Sequence, residues 1–382
     1  LQATELYNWQ NLITPIEDIE DKLNKTWSPI SHMNSVVNSD ELRDAYNACL
    51  PKLSEYSTEM GQNKALFNAY QQISKSEAFS SLDTAQQKII DNALRDFRLS
   101  GIDLSEEKQQ RYKQISQELS HLSSKYEENL LDATNAWSKH ITDIDLLAGL
   151  PENALMQAKQ TAESREKQGW MITLQFPSYI AVMTYADNRE LRKEHYTAFA
   201  TRASEQSTGQ WDNSQIMEQT LSLRHEKAQL LGFDNYAEYS LTTKMADKPD
   251  DVVQFLEGLA DKSWRHARKD LSELRKFAKQ HYNVNQLQAW DIGYFSEKMR
   301  QHFYQLSKEQ VKAYFPETRV IPGLFSVVEK LYGLKITEVK KDYIAVKINP
   351  EVVAKNYFNA IFQFKEKIFT ATIRTTTNYI VD

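Results

Sequence analysis

The stretch QWDNSQIMEQTLSLRHEKAQLLGFDNYAEYSLTTKMADKP, from Gln210 to Pro249, decides the fold, because it writes two helices and the turn between them. Asp212 can cap the first helix, with Gln215 three residues on to close a capping box. Met217, Leu221, Ala228 and Leu231 recur at helical spacing, and Ile216, Leu223 and Leu230 widen the apolar face. Gly232 can take the left-handed conformation that ends a helix, with Phe233 folding back over the last turn. Asn235 with Glu238 starts the second helix, and Asp247 to Pro249 stops it.

Within this stretch His225 and Glu226 begin a helical pair of the kind in which two histidines one turn apart hold zinc. The fifth position is Gln229, and a neutral amide is a poor zinc ligand. The spacing therefore predicts a solvated or core-edge helix face rather than a metal site.

The residues from Trp211 to Ala246 resemble the upstream helical region of the oligopeptidase A branch of the thimet-oligopeptidase-like zinc metallopeptidases. Four more segments match on both sides: WSPISHMNSVVNSDELRDAY (27–46), TAQQKIIDNALRDFRLSGIDL (84–104), LQFPSYIAVMTYADNRELR (174–192) and AWDIGYFSEKMRQHFY (289–304). Their common order and spacing make the resemblance specific, and it covers about 1–341. In that family HExxH on a helix, with a downstream glutamate as third ligand, forms the catalytic site. It lies beyond the point where the resemblance stops, and no HExxH occurs in these 382 residues.

The resemblance implies two lobes flanking a deep channel that admits short peptides, with zinc at its floor in the full-length family. There, zinc-bound water activated by the glutamate of HExxH attacks the scissile carbonyl. This chain then corresponds to channel wall and lobe, with no catalytic residue and no metal ligand of its own. Trp290, Asp291, Tyr294 and Glu297 are its candidate channel-wall positions; packing plus helix capping explains them equally well.

Composition agrees with a helical body. Only 10 Gly and 9 Pro among 382 residues mean few turns per length. A net charge of −6 does not favour a nucleic-acid or acidic-membrane partner. One cysteine cannot form an internal disulfide, which suits a reducing, cytoplasmic setting. No apolar run reaches the length of a membrane span. The start at Leu1 without Met suggests a fragment or a processed terminus, and the resemblance suggests missing upstream residues.

Taken in order, residues 1–30 read as amphipathic helix, with Pro29 near its stop. Asn38 and Glu41 pair as caps for the next helix, where Leu42, Tyr46, Cys49, Leu53 and Tyr56 form a stripe that Pro51 should kink or divide. Cys49 reads as buried filler rather than a nucleophile, since nothing in sequence supplies an activating base. Thr84 with Gln87 caps a helix through Phe97. From Ser105 to Trp137 runs the clearest amphipathic element, with Tyr112, Ile115, Leu119, Leu122, Tyr126 and Leu130 on one face.

Lys139–Asp143 and Trp170–Phe176 are the strand candidates, joined by a helix at 151–168 into a two-stranded ribbon. From Ser178 the chain is helical again through Ala203. Pro249 opens a long helix with Val252, Leu256, Leu259, Leu271, Leu274 and Ala278 inward. Its opposite face carries Lys262, Arg265, Arg268 and Lys269, broken up by Asp261 and Asp270, a solvated face rather than a nucleic-acid surface. Asp291 caps the helix of the 289–304 segment. Pro322 and Gly333 bracket a last helix, with a strand at Lys335–Val339.

Tyr343 to Asp382 hold seven aromatics but no Leu, Gly, Trp or His. They are either a divergent β-rich terminus or the product of a shifted reading frame, and the abrupt loss of Leu favours the second. The expected fold is mostly α, a large multi-helix body with a minor two-stranded β ribbon and a β-leaning tail. The expected regions are 1–137 (helical), 138–176 (ribbon with its helix), 177–341 (helical channel wall) and 342–382 (a divergent tail not matching the family). Two functions stand open: the non-catalytic N-terminal portion of a zinc-dependent metallo-oligopeptidase, or a helical peptide-binding or scaffold protein without catalysis.

Overall fold

The computed structural model describes residues 6–207, 210–305, 308–333, 336–339 and 378–381. Its elements in chain order are α1 (Thr14–Val36), α2 (Asp40–Gly61), α3 (Lys64–Ser74), α4 (Thr84–Leu99), α5 (Glu106–Ala136), β1 (Ser138–Ile141), α6 (Glu152–Glu163) and β2 (Trp170–Thr173). They continue with α7 (Phe176–Tyr185), α8 (Arg189–Thr201), α9 (Ser214–Leu230), α10 (Tyr236–Leu241), α11 (Pro249–Tyr282) and α12 (Ala289–Tyr304). α13 (Lys308–Lys312), α14 (Glu317–Tyr332), β3 (Ile336–Val339) and β4 (Asn378–Val381) complete the described chain. The fold is mostly α with a minor β component, as the low Gly and Pro content predicts.

The two helices form, and the turn between them is as expected, but the expected capping box of Asp212 with Gln215 is replaced by a local bond to Ser214. Asp212 accepts hydrogen bonds from the backbone N and the hydroxyl of Ser214, at 2.9 and 2.7 Å. At the other end Gly232 has φ +85°. Phe233 N donates to Ala228 O (3.0 Å) and Gly232 N to Gln229 O (3.1 Å), the paired bonds that close a helix on a left-handed glycine. Asn235 caps α10 through the backbone N of Glu238 at 3.0 Å. α10 ends at Leu241, ahead of the expected stop at 247–249. The apolar face of α9 differs from expectation. Leu223 and Ala228 are buried, whereas Met217 and Leu221 are exposed.

Other local expectations shift by a residue. The cap of α2 is Ser39, whose hydroxyl accepts from Leu42 N, and the cap of α4 is Asp83, paired with Gln86. Pro29 and Pro51 lie inside continuous helices α1 and α2 and divide neither. β2 stops at Thr173 because Phe176 and Pro177 already open α7, where proline's missing N–H costs nothing. The 178–203 helix is two helices, broken at 186–188, with Asn188 capping the second through Leu191 N.

Two compact units are present. One comprises residues 6–125 and 216–247; the other comprises 126–215 with 248–339 and 378–381. The first has a core in which Leu12, Ile13, Leu66, Tyr70, Ile90 and Phe97 pack, with Tyr70 and Phe67 both edge-on to Phe97. Cys49 is buried beside Ala45 and Trp27, and burial pushes its thiol pKa up, consistent with filler. A cleft of about 540 Å³ in this unit is lined by residues that include Glu17, Glu20, Tyr56 and Tyr70.

In the second unit β1 and β2 pair antiparallel, Ser138 opposite Thr173 and Ile141 opposite Trp170. The ribbon packs with α6, α7 and α8 around Ile141, Leu147, Ile172, Val182 and Leu191. A second cluster, Leu274, Ala278, Tyr294 and Phe295, joins the end of α11 to α12. A Cβ at Gly293 would lie 3.3 Å from the Met183 carbonyl oxygen, so glycine there admits the close approach of α12 to α7. Buried Asn129 and Asn213 tie α5 to the start of α9, with Asn213 also donating to Tyr126 O.

α11 departs most from its expected burial. Leu274, Phe277 and Ala278 are buried, but Leu256 is 56% exposed and Leu259 49%. The sequence places them inward because the helix is amphipathic along its length; among the described residues nothing covers its first half. On α14, Val320, Leu324, Val327 and Leu331 form a one-faced stripe at spacings of three and four, all exposed. β3 pairs antiparallel with β4, Ile336 opposite Val381. The expected tail, 342–382, otherwise lies outside the described residues.

Candidate functional site

The four candidate positions lie on the first turns of α12, and the structure gives three of them saturated, buried surroundings. Asp291 is 0% exposed. Its carboxylate accepts from Arg189 Nε (3.1 and 3.2 Å), Arg189 Nη2 (2.6 Å), Arg192 Nη2 (2.9 Å) and the backbone N of Gln288 (3.0 Å). Arg192, 1% exposed, spends its remaining donors on the carbonyls of Ala186, Asp187 and Trp290. Tyr294 OH donates to Asp187 Oδ1 at 2.7 Å, and Lys298 Nζ lies 3.0 Å from the same oxygen. The Arg192 guanidinium sits 4.0 Å from the Tyr294 ring centroid. Glu297, also buried, is held by Arg300 and Gln301 of its own helix.

The electrostatics follow from these contacts. Burial alone would raise the Asp291 carboxyl, but the bonds from Arg189, Gln288 and Arg192 outweigh it and hold the pKa below the usual carboxylate value. Asp187 is likewise held down against its burial by Tyr294 and Lys298. Burial and the bond to Asp187 push the Tyr294 hydroxyl up. Such a carboxylate is a poor proton acceptor and such a phenol a poor donor near neutral pH. The group is a clamp that fixes α12 against α7 and α8. Arg189 and Arg192, which complete it, were not singled out from sequence. They stand in the 174–192 segment and Asp291 in the 289–304 segment, so the clamp joins two of the stretches that carry the family resemblance.

Trp290 is half-buried, its ring 6.0 Å from that of Tyr196 and 5.8 Å from Lys193 Nζ. Lys193 also lines a cleft of about 600 Å³ whose walls include Trp137, Leu174, Glu194, Arg202 and Trp211. Behind it lies His195, fully buried, stacked on Trp137 and edge-on to Tyr179. Its Nε2 lies 2.9 Å from Thr173 O and its Nδ1 has no partner. Burial lowers its pKa to about 4, which keeps the ring neutral and Nε2 the donor.

Zinc does not fit the His225–Glu226 pair. Glu226 is taken by Arg111 through two bonds of 2.6 and 2.7 Å. Gln229, where a second histidine would stand, donates to the carbonyls of Phe233 and Asp234 and so braces the turn after α9. Among the described residues no group of three or more His, Cys, Asp or Glu is placed to hold a metal ion. Nor, among them, is any helix long and apolar enough to cross a membrane.

Comparison with known proteins gives the class. The family model described as "Peptidase family M3" matches residues 182–371, past the 341 at which the quoted resemblance ends. That described as "Neurolysin/Thimet oligopeptidase, N-terminal domain" matches residues 1–109. Oligopeptidase A of Salmonella typhimurium is 53% identical over 334 residues, covering 87% of this chain and 49% of that protein. Oligopeptidase A of Escherichia coli is 52% identical over 336 residues, with the same coverage. The probable cytosolic oligopeptidase A of Arabidopsis thaliana is 38% identical over 356 residues, 90% of this chain and 50% of that protein. The chain belongs to peptidase family M3, a family of metallopeptidases, as an oligopeptidase A-like member. It spans about half the length of these relatives. Membership implies zinc for the full-length family.

Proposed function

We propose that this chain is the non-catalytic N-terminal portion of a zinc-dependent metallo-oligopeptidase that hydrolyses short peptides in the cytoplasm, and that it is inactive by itself. The observation that carries this reading is the state of the one HExxH-like site. Its glutamate is neutralised by Arg111 and its fifth residue is an amide engaged in a helix cap. The exposed apolar stripes on α11 and α14 support it, since amphipathic helices normally cover such faces. In this reading the 1–137 and 177–341 regions are lobe and channel wall, and 138–176 is a small β ribbon with its connecting helix. The clamp around Asp291 is then the wall's fastening, and Trp290 the candidate position that is only half-buried.

Turnover of a quenched fluorogenic peptide by the purified chain tests the proposal. No cleavage is expected with or without added zinc, and chelator-sensitive cleavage by a homogeneous sample overturns it. The cleft beside Trp137, Arg202 and Trp211 favours a second reading, a helical peptide-binding protein without catalysis. Tight, saturable binding of a short peptide to the monodisperse chain supports that reading over the first.

A further inference from the structure

His281 and His302 stand 21 positions apart in sequence, yet the structure brings their rings together, with centroids 4.5 Å apart and planes inclined by 52°. Both side chains are exposed, and neither touches the clamp or the cleft described above. We infer that this pair is a two-imidazole site for a divalent transition-metal ion, with copper(II) as its preferred occupant.

The geometry agrees with shared coordination. A metal–nitrogen bond of about 2.0–2.1 Å puts each ring centroid roughly 3.2 Å from the metal. Two such rings in adjacent positions, about 90° apart at the ion, then have centroids roughly 4.5 Å apart. That is the separation observed. Imidazoles suit copper, nickel and zinc, and a square-planar or tetragonal copper ion accepts two neighbouring nitrogens with water in the other positions. Exposure of both rings leaves room for that water and an open path of entry.

Two helix ends add to the case. His281 is in the last turn of α11 and His302 in the last turn of α12. The last carbonyls of a helix carry partial negative charge, which favours a cation there. Phe277 packs against both rings, at centroid distances of 4.8 and 5.5 Å. The site is independent of the peptidase reading and takes no part in peptide hydrolysis.

Titration of the full chain with copper(II) in a weakly coordinating buffer tests the proposal, followed by calorimetry and by electron paramagnetic resonance. One ion per chain is expected, with hyperfine structure from two nitrogens. His281→Ala and His302→Ala should each weaken binding at least by the roughly tenfold that loss of a metal's outer-shell partner costs. The double variant should bind no better than either single one, and His225→Ala should bind as wild type. Because both rings are exposed, circular dichroism should show unchanged folding. Binding as tight in His281→Ala as in wild type, binding that needs His225, or binding that shows one nitrogen overturns the assignment, as does the absence of binding.

Discussion

Arg111 on α5 and Glu226 on α9 form a two-pronged ion pair, Nε to Oε1 at 2.6 Å and Nη2 to Oε2 at 2.7 Å. The bond from Arg111 holds the Glu226 pKa below the usual value. A depressed carboxylate contributes stability above its unfolded pKa, and that contribution is lost as pH falls through the lower folded value. Both side chains are more than a third exposed, so solvent screens the pair. Glu226→Gln should therefore cost only about 0.5–1 kcal/mol at neutral pH. Urea unfolding measures this, and a loss of several kcal/mol would contradict it.

Gln229→His completes an HExxH sequence on α9. No stoichiometric zinc should follow, because two histidines one turn apart supply only two ligands, and among the described residues no group of three or more His, Cys, Asp or Glu is placed to hold a metal ion. The substitution should instead loosen the turn after α9 by removing the amide's bonds to the Phe233 and Asp234 carbonyls. Metal analysis after gel filtration checks it; one zinc retained per chain would show that the helix face is competent after all.

Asp291→Ala leaves Arg192 buried without its carboxylate. Breaking a buried pair in this way costs about 3–5 kcal/mol. The thermal midpoint should fall well beyond that of a surface substitution such as Asp261→Ala. The pH dependence has the carboxylate sign: this stabilisation is complete above the unfolded aspartate pKa and disappears as pH falls through the lower folded one. An Asp291→Ala protein as stable as wild type would mean that the clamp does not hold α12.

His195 sets a different pH window. Its folded pKa, about 4, lies below the unfolded value near 6.5, so the unfolded chain binds the extra proton between them. Stability is therefore highest above pH 6.5 and falls as pH drops toward 4, by about 2 kcal/mol between pH 7 and pH 5. His195→Asn, compared by urea unfolding at those two values, should flatten that fall. An unchanged slope would refute the assignment to this ring.

Local chemistry was legible in the sequence wherever one residue type answers one geometric demand. Gly232 is the clear case: its φ of +85° is open to few other residues, and the bonds from Gly232 and Phe233 follow from it. Helix caps were legible to within a residue, since Asn38 beside Ser39 and Thr84 beside Asp83 are equally able acceptors. Burial was less so. Periodicity shows that α11 and α14 have an apolar face, but a face is buried only if something covers it, and Leu256 and Leu324 remain exposed. Leu231, on the apolar face by its spacing, is half-buried at the helix end, so its truncation should cost less than a full core substitution. The clamp was half legible. Asp291 stood out as a helix-start acid, but its partners lie about a hundred residues upstream, and no local pattern announces a pairing of that range.

Zinc content of the purified full chain is the most direct test that the catalytic chemistry lies outside it. The sample should be loaded with excess zinc, passed through gel filtration in metal-free buffer and assayed by elemental analysis against protein concentration. An exposed two-imidazole site should release zinc in that step, so well under one zinc per chain is the result the account predicts. About one tightly held zinc per chain, retained in the His281→Ala variant, would contradict it.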